Sequence, residues 1–238
     1  MLRKGFEAFL QDFLKIALIL TVIISILKIQ SILYVIPFLN IKKIEIQGSD
    51  KSVKGVVQKV LAEDYNNNYL LLSVNGANFI KEVSKASKYY IKSVKVLGFD
   101  WIKGVLRLKV ETRKPAFVLN RKFFIGNDGV VFGANFRFQK PVLLDFNKKW
   151  NYGEKYTTLD IANLEKISQK FGINTVKVGN FSVNMEGSRV VVNYPLGKIS
   201  LKQVGKYLED VTGYLGKDNK ILLSFYGKKT YALKTLKE

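Results

Sequence analysis

The 238-residue chain contains no cysteine and no histidine. Those two absences remove thiolate nucleophiles, disulfides, imidazole bases and the commonest soft or borderline metal ligands together. Any catalysis would rest on carboxylates, Lys, Ser, Thr or Tyr. The lack of cysteine fits every redox compartment and so leaves the compartment open. The chain also has no G-x-x-x-x-G-K-[ST], no G-x-G-x-x-G and no G-x-S-x-G, so phosphate cradles and serine nucleophiles lack their usual settings.

The carboxylates that remain do not pair into an acid and a base. Glu63 and Asp64 are neighbours at the end of a helical pattern, where adjacent side chains point in different directions. Glu111 stands in an alternating strand beside basic residues, which a surface ion pair explains. The expectation is no enzyme, no cofactor, no metal and no small-molecule substrate.

Acidic residues are in the minority: 19 against 39 Lys and Arg, a formal charge of +20. Without the first 40 residues, which hold four basic and two acidic side chains, the remainder still carries 35 basic and 17 acidic residues, a net +18. Such a surface attracts phospholipid headgroups, acidic polymers, acidic partners or nucleic acid. No block of five like charges occurs, and the lysines are scattered through every segment, so a solvated lysine-rich surface is the more direct reading.

What is present at the start is an apolar stretch. Residues 13–39 read FLKIALILTVIISILKIQSILYVIPFL, charged only at Lys15 and Lys28. A helix needs about 20 apolar residues to cross about 30 Å of hydrocarbon, and placing a span at 13–36 puts Lys28 within snorkelling reach of one interface. The sequence thus predicts a transmembrane helix at 13–36 after a short tail at 1–12. Arg3, Lys4 and Lys15 precede it while Lys42 and Lys43 follow it, so charge alone leaves its orientation open.

From residue 41 the patterning is that of a folded α+β chain. Ile41, Ile44 and Ile46 alternate with polar residues up to Gly48, and then Val53, Val56, Val57, Val60 and Leu61 recur at helical spacing. An Asn-rich loop and a second helical pattern (Phe79, Ile80, Val83, Ala86) lead to alternating segments at 91–98 and 104–113. The order over 41–113 is βααββ. Further on, Asp128-Gly129 supplies a tight hairpin turn, and PVLLDF (141–146) is a short strand. Thr157-x-x-Asp160 opens a helix carrying Ile161, Leu164, Ile167 and Phe171, and Ser200-x-x-Gln203 is a capping box before another. The chain closes with ILLSFYGKKTYALK (221–234), two strands joined at Gly227.

These segments, in this order, resemble the FtsQ/DivIB family of bacterial division proteins. The resemblance rests on IEIQG (44–48), Tyr69-Leu70-Leu71, IKSVKV (91–96), Trp101, VETRKPAFVL (110–119) and FFIGNDGVVFG (123–133). It departs from the family where Thr112 separates Glu111 from Arg113. It implies an N-terminal transmembrane helix, a βααββ POTRA domain at 41–113, and a mostly antiparallel β domain with two or more helices at 114–238. By the same resemblance the N-terminus is cytoplasmic, the C-terminal domains lie outside, and the protein sits in the plasma (inner) membrane at the division septum.

The implied function is that of a noncatalytic single-pass scaffold that recruits FtsB-like and FtsL-like proteins, with the bilayer as its other partner and no nucleic acid. Family members bind FtsB through their last strands, which maps here to Phe225, Tyr226, Gly227, Lys228, Lys229, Thr230, Tyr231, Ala232 and Leu233. Tyr226 matches the family's tyrosine, whereas Phe225 stands where arginine is common. An extended partner segment added by main-chain hydrogen bonds is the implied mode. Two other readings stay open: lysines that merely blunt an exposed edge, and a membrane-anchored binder of anionic polymer or nucleic acid.

Overall fold

The computed structural model describes residues 15–25, 39–48, 51–134, 139–214, 220–227 and 231–236. Its elements are α1 (15–25), β1 (Lys43–Gln47), α2 (Lys51–Tyr65), α3 (Tyr69–Val74), α4 (Gly76–Ala86), β2 (Ile91–Asp100), β3 (Val105–Thr112), β4 (Pro115–Leu119), β5 (Phe123–Gly126) and β6 (Val131–Phe132). They continue with β7 (Val142–Asp145), α5 (Ile161–Phe171), β8 (Ile173–Val178), β9 (Ser182–Gly187), β10 (Val190–Pro195), α6 (Leu201–Tyr214), β11 (Lys220–Phe225) and β12 (Tyr231–Leu236).

The expected transmembrane helix is corrected here. Among the described residues no helix is long and apolar enough to cross a membrane. Of the expected span, residues 15–25 are described, and they are helical. The expectation summed hydropathy across Lys28, Gln30 and Ser31; residues 13–14 and 26–36 of that stretch, and the tail at 1–12, lie outside the described residues. The single-pass anchor and the membrane location that depended on it are therefore not carried forward.

Contact density divides the chain into two units, one formed by residues up to Lys81 with Val94–Val110, the other by Glu82–Ser93 with Glu111 onward. The first holds a three-stranded sheet of order β1-β3-β2, with β1 parallel to β3 and Ile44 opposite Leu106. In α2 the buried residues Val53, Val57, Val60 and Leu61 follow the i, i+4, i+7, i+8 spacing of one helix face. The Asn-rich stretch does more than loop. Asn66 and Asn67 take positive φ of 49° and 52°, which asparagine tolerates, and buried Asn68 accepts from the N–H groups of Leu70 and Leu71 to start α3.

The second unit is built on a nine-stranded sheet of order β12-β11-β10-β9-β8-β7-β4-β5-β6. It is mixed: five of its eight strand pairings are antiparallel, while β4 and β7, β7 and β8, and β10 and β11 run parallel. The cause is connectivity, since α5 joins β7 to β8 and α6 joins β10 to β11, and a helical crossover returns the chain to the end from which it started. Asp160 caps α5 by accepting from the Asn163 N–H, and Gly172 ends it at φ 63°. Ser200 and Gln203 cap α6 reciprocally, each accepting from the other's backbone N–H.

The core of this unit joins the inward positions of the strands (Phe117, Leu143, Val176, Met185, Val192, Leu223) to Leu164 of α5 and Val204 and Leu208 of α6. Two of its polar groups are instructive. Buried Asp145 accepts from the Tyr156 hydroxyl at 2.8 Å and from the Asn147 N–H at 3.1 Å. The Tyr194 hydroxyl is enclosed with no hydrogen-bond partner among the described residues.

Candidate partner-binding edge

The two margins of the nine-stranded sheet are treated differently. At the β6 margin the segment 153–156 lies alongside: Gly153 donates to the Val131 carbonyl, the Val131 N–H to Glu154, and Tyr156 to Gly129, at 2.7 to 2.8 Å. That edge is covered. At the other margin β12 pairs inward with β11 from Phe225 opposite Tyr231 to Lys220 opposite Leu236, and no described strand lies on its outer side. Alternate backbone groups of β12 therefore face outward.

The register sorts its side chains. Ile221, Leu223 and Phe225 are the buried face of β11, and opposite them stand Thr235, Leu233 and Tyr231. Directly paired residues share a face, so Tyr231 and Leu233 extend the core side of the sheet past its margin while remaining 43% and 44% exposed. Tyr207 of α6 completes a ledge there, with ring centroids 5.3 Å from Tyr231 and 5.5 Å from Phe225. Ala232 and Lys234 lie on the opposite face, across from Ser224 and Leu222.

The sequence-predicted residues fall into three groups. Tyr231, Ala232 and Leu233 lie on the edge strand and are exposed. Phe225 is 6% exposed and belongs to the core, so it supports Tyr231 rather than offering a surface itself. Tyr226, 71% exposed, and Gly227 stand in the turn, while Lys228, Lys229 and Thr230 lie outside the described residues. Tyr207 and Lys234 escaped the sequence reading. The signal for Tyr207 was its place beside Val204, Leu208 and Val211 on the apolar side of α6, which counts as core until the sheet margin is known.

Other candidate chemistry is accounted for locally. Glu63 is exposed and 3.9 Å from Lys59, and Glu111 lies 3.0 Å from Lys92. Among the described residues no group of three Asp or Glu gathers as a metal site would require. A cavity of about 250 Å³ opens between the start of α5 and the start of α6, but Asp160 and Ser200 on its wall are engaged as caps. No family model matches the chain, and no curated protein matches it.

Proposed function

We propose that the chain is a noncatalytic scaffold of the FtsQ/DivIB kind, which recruits an FtsB/FtsL-like division pair by adding an extended partner segment to β12. The observation that carries this reading is the asymmetry of the sheet. One margin is closed by the chain itself, and the other presents a strand with no described neighbour on its outer side, bordered by an aromatic ledge. Main-chain bonds along β12 supply affinity, and alternate side chains set specificity.

The register defines what the partner segment looks like. Residues on its α6 side meet Tyr207, Tyr231 and Leu233 and are apolar, each such contact contributing about 1 kcal/mol. Residues on the other side meet Lys234 and favour a carboxylate. An alternating apolar and acidic strand is the complement.

The experiment is binding of the full chain to an FtsB/FtsL-like pair from the same organism, comparing the unaltered protein with Tyr226→Ala, Tyr231→Ser and Ala232→Pro at low and high salt. The reading expects the Tyr231 and Ala232 variants to lose binding with folding retained, and salt to have a modest effect. Binding indifferent to edge variants and collapsing with salt would replace it with capture of anionic polymer by the basic surface.

A further inference from the structure

The first unit carries an exposed feature that partner recruitment at β12 does not use. β2 and β3 are joined by a turn at 100–104, at whose tip Ile102 is 94% exposed and Trp101 49%. The tip is held in shape: the Asp100 carboxylate accepts from the N–H groups of Ile102 and Lys103 at 3.2 and 3.1 Å. Behind it Tyr69 stacks on Phe99 with centroids 4.4 Å apart and planes 12° from parallel, and Trp101 sits edge-on to both rings at 5.3 to 5.4 Å. Two lysines flank it. Lys103 is in the turn, and the Lys42 side chain lies over Gly104, whose carbonyl accepts from the Lys42 N–H at 2.8 Å.

We propose that this turn is a contact for an anionic lipid bilayer surface, with Ile102 and the Trp101 indole entering the headgroup boundary while Lys42 and Lys103 face the phosphates. The contact is superficial and crosses nothing. Three features select lipid as the occupant. Trp and Tyr with a projecting aliphatic side chain suit the boundary between water and hydrocarbon. The flanking charge is positive, and the one carboxylate at the tip is turned onto the backbone, which leaves a surface complementary to anionic headgroups. Stacking of nucleic-acid bases is poorly served, because Tyr69 and Phe99 already spend ring faces on each other and the most exposed side chain has no ring.

The absence of cysteine makes the test local, since Ile102→Cys creates a unique attachment point for an environment-sensitive fluorophore, with Phe181→Cys, 86% exposed in the second unit, as the control. A local label is needed because α1 exposes apolar side chains of its own. The full chain is titrated with vesicles of equimolar phosphatidylglycerol and phosphatidylcholine, and with pure phosphatidylcholine. The expected result is a blue shift and quenching by nitroxide lipid at position 102 but not at 181, with Lys42→Gln plus Lys103→Gln raising the lipid needed about thirtyfold. A label at 102 that stays in water while the protein sediments with the vesicles overturns the proposal. An equal response to soluble polyphosphate, or a shift without vesicles that grows with protein concentration, overturns lipid as the occupant.

Discussion

The Nε of Arg113 donates to Oδ2 of Asp128 at 3.0 Å, with the two side chains only 12% and 29% exposed. The same guanidinium donates through Nη1 to the carbonyls of Tyr89 at 2.6 Å and Ile91 at 3.2 Å. It thereby ties the approach to β4, the β5–β6 turn and the start of β2 to one planar group. Arg113→Ala should cost about 3 kcal/mol, because it strands the Asp128 carboxylate and the Tyr89 carbonyl, while the Ile91 carbonyl keeps the Ser84 hydroxyl. Arg113→Lys keeps the charge without the fork and should still cost roughly 1–2 kcal/mol. Urea unfolding reads both; a loss below about 0.5 kcal/mol for the alanine variant would mean that water replaces the guanidinium, as it does at exposed pairs.

Two buried tyrosines separate the value of a partner from the value of burial. Tyr156 and Tyr194 both have phenols pushed well above the usual range, Tyr156 by burial and then by the Asp145 charge and hydrogen bond, Tyr194 by burial. Tyr156→Phe removes the hydroxyl that satisfies Asp145 and should cost about 2 kcal/mol. Tyr194→Phe removes a hydroxyl with no partner among the described residues and should be neutral or stabilising by up to about 1 kcal/mol.

The same pair sets an alkaline limit. Unfolded tyrosine loses its proton near pH 10, whereas the folded chain holds both protons above that pH. The unfolded state then binds fewer protons, so this contribution is complete below about pH 10 and falls by roughly 1.4 kcal/mol per pH unit for each tyrosine above it. Tyrosinate absorbance should show both groups ionising together with the loss of folded structure, and titration of either in the folded chain would contradict the burial argument.

Gly153 and Gly213 should respond oppositely to alanine. Gly153 has φ 86°, and an added Cβ would press into the Tyr89 ring. Gly153→Ala should therefore cost more than about 1 kcal/mol. Gly213 lies in the last turn of α6 with nothing near its missing Cβ among the described residues, so Gly213→Ala should stabilise by about 0.5–1 kcal/mol. Thermal melts of the two variants check the contrast.

Local chemistry was the legible part of this chain. The helix carrying Ile161, Leu164, Ile167 and Phe171, the Ser200–Gln203 box and the terminal hairpin were readable because each is decided within a few residues, although the cap of α5 is Asp160 itself and not Thr157. Pairings across long separations were not. Nothing local says that β7 sits between β4 and β8, or that Arg113 meets Asp128. α3 hid in an Asn-rich stretch because its signal is one capping side chain, and Tyr207 hid because a residue at a sheet margin reads as core.

The edge strand also predicts its own hazard. Tyr231, Ala232 and Leu233 present exposed, mostly apolar side chains along a strand with no described neighbour on its outer side, and such an edge pairs with a second copy unless something disfavours it. Lys234 is exposed on β12 opposite Leu222, where two copies brought edge to edge would bury like charges together. Lys234→Val should therefore convert the chain to a concentration-dependent dimer in sedimentation velocity, while Lys234→Glu, which repels itself as well, should leave self-association unchanged. The dimer would occupy the surface assigned to the partner, so Lys234→Val should also slow partner binding at high protein concentration and recover on dilution. Equal self-association of the unaltered chain and the valine variant would show that the edge is protected elsewhere, and Lys234 would lose its gatekeeping role.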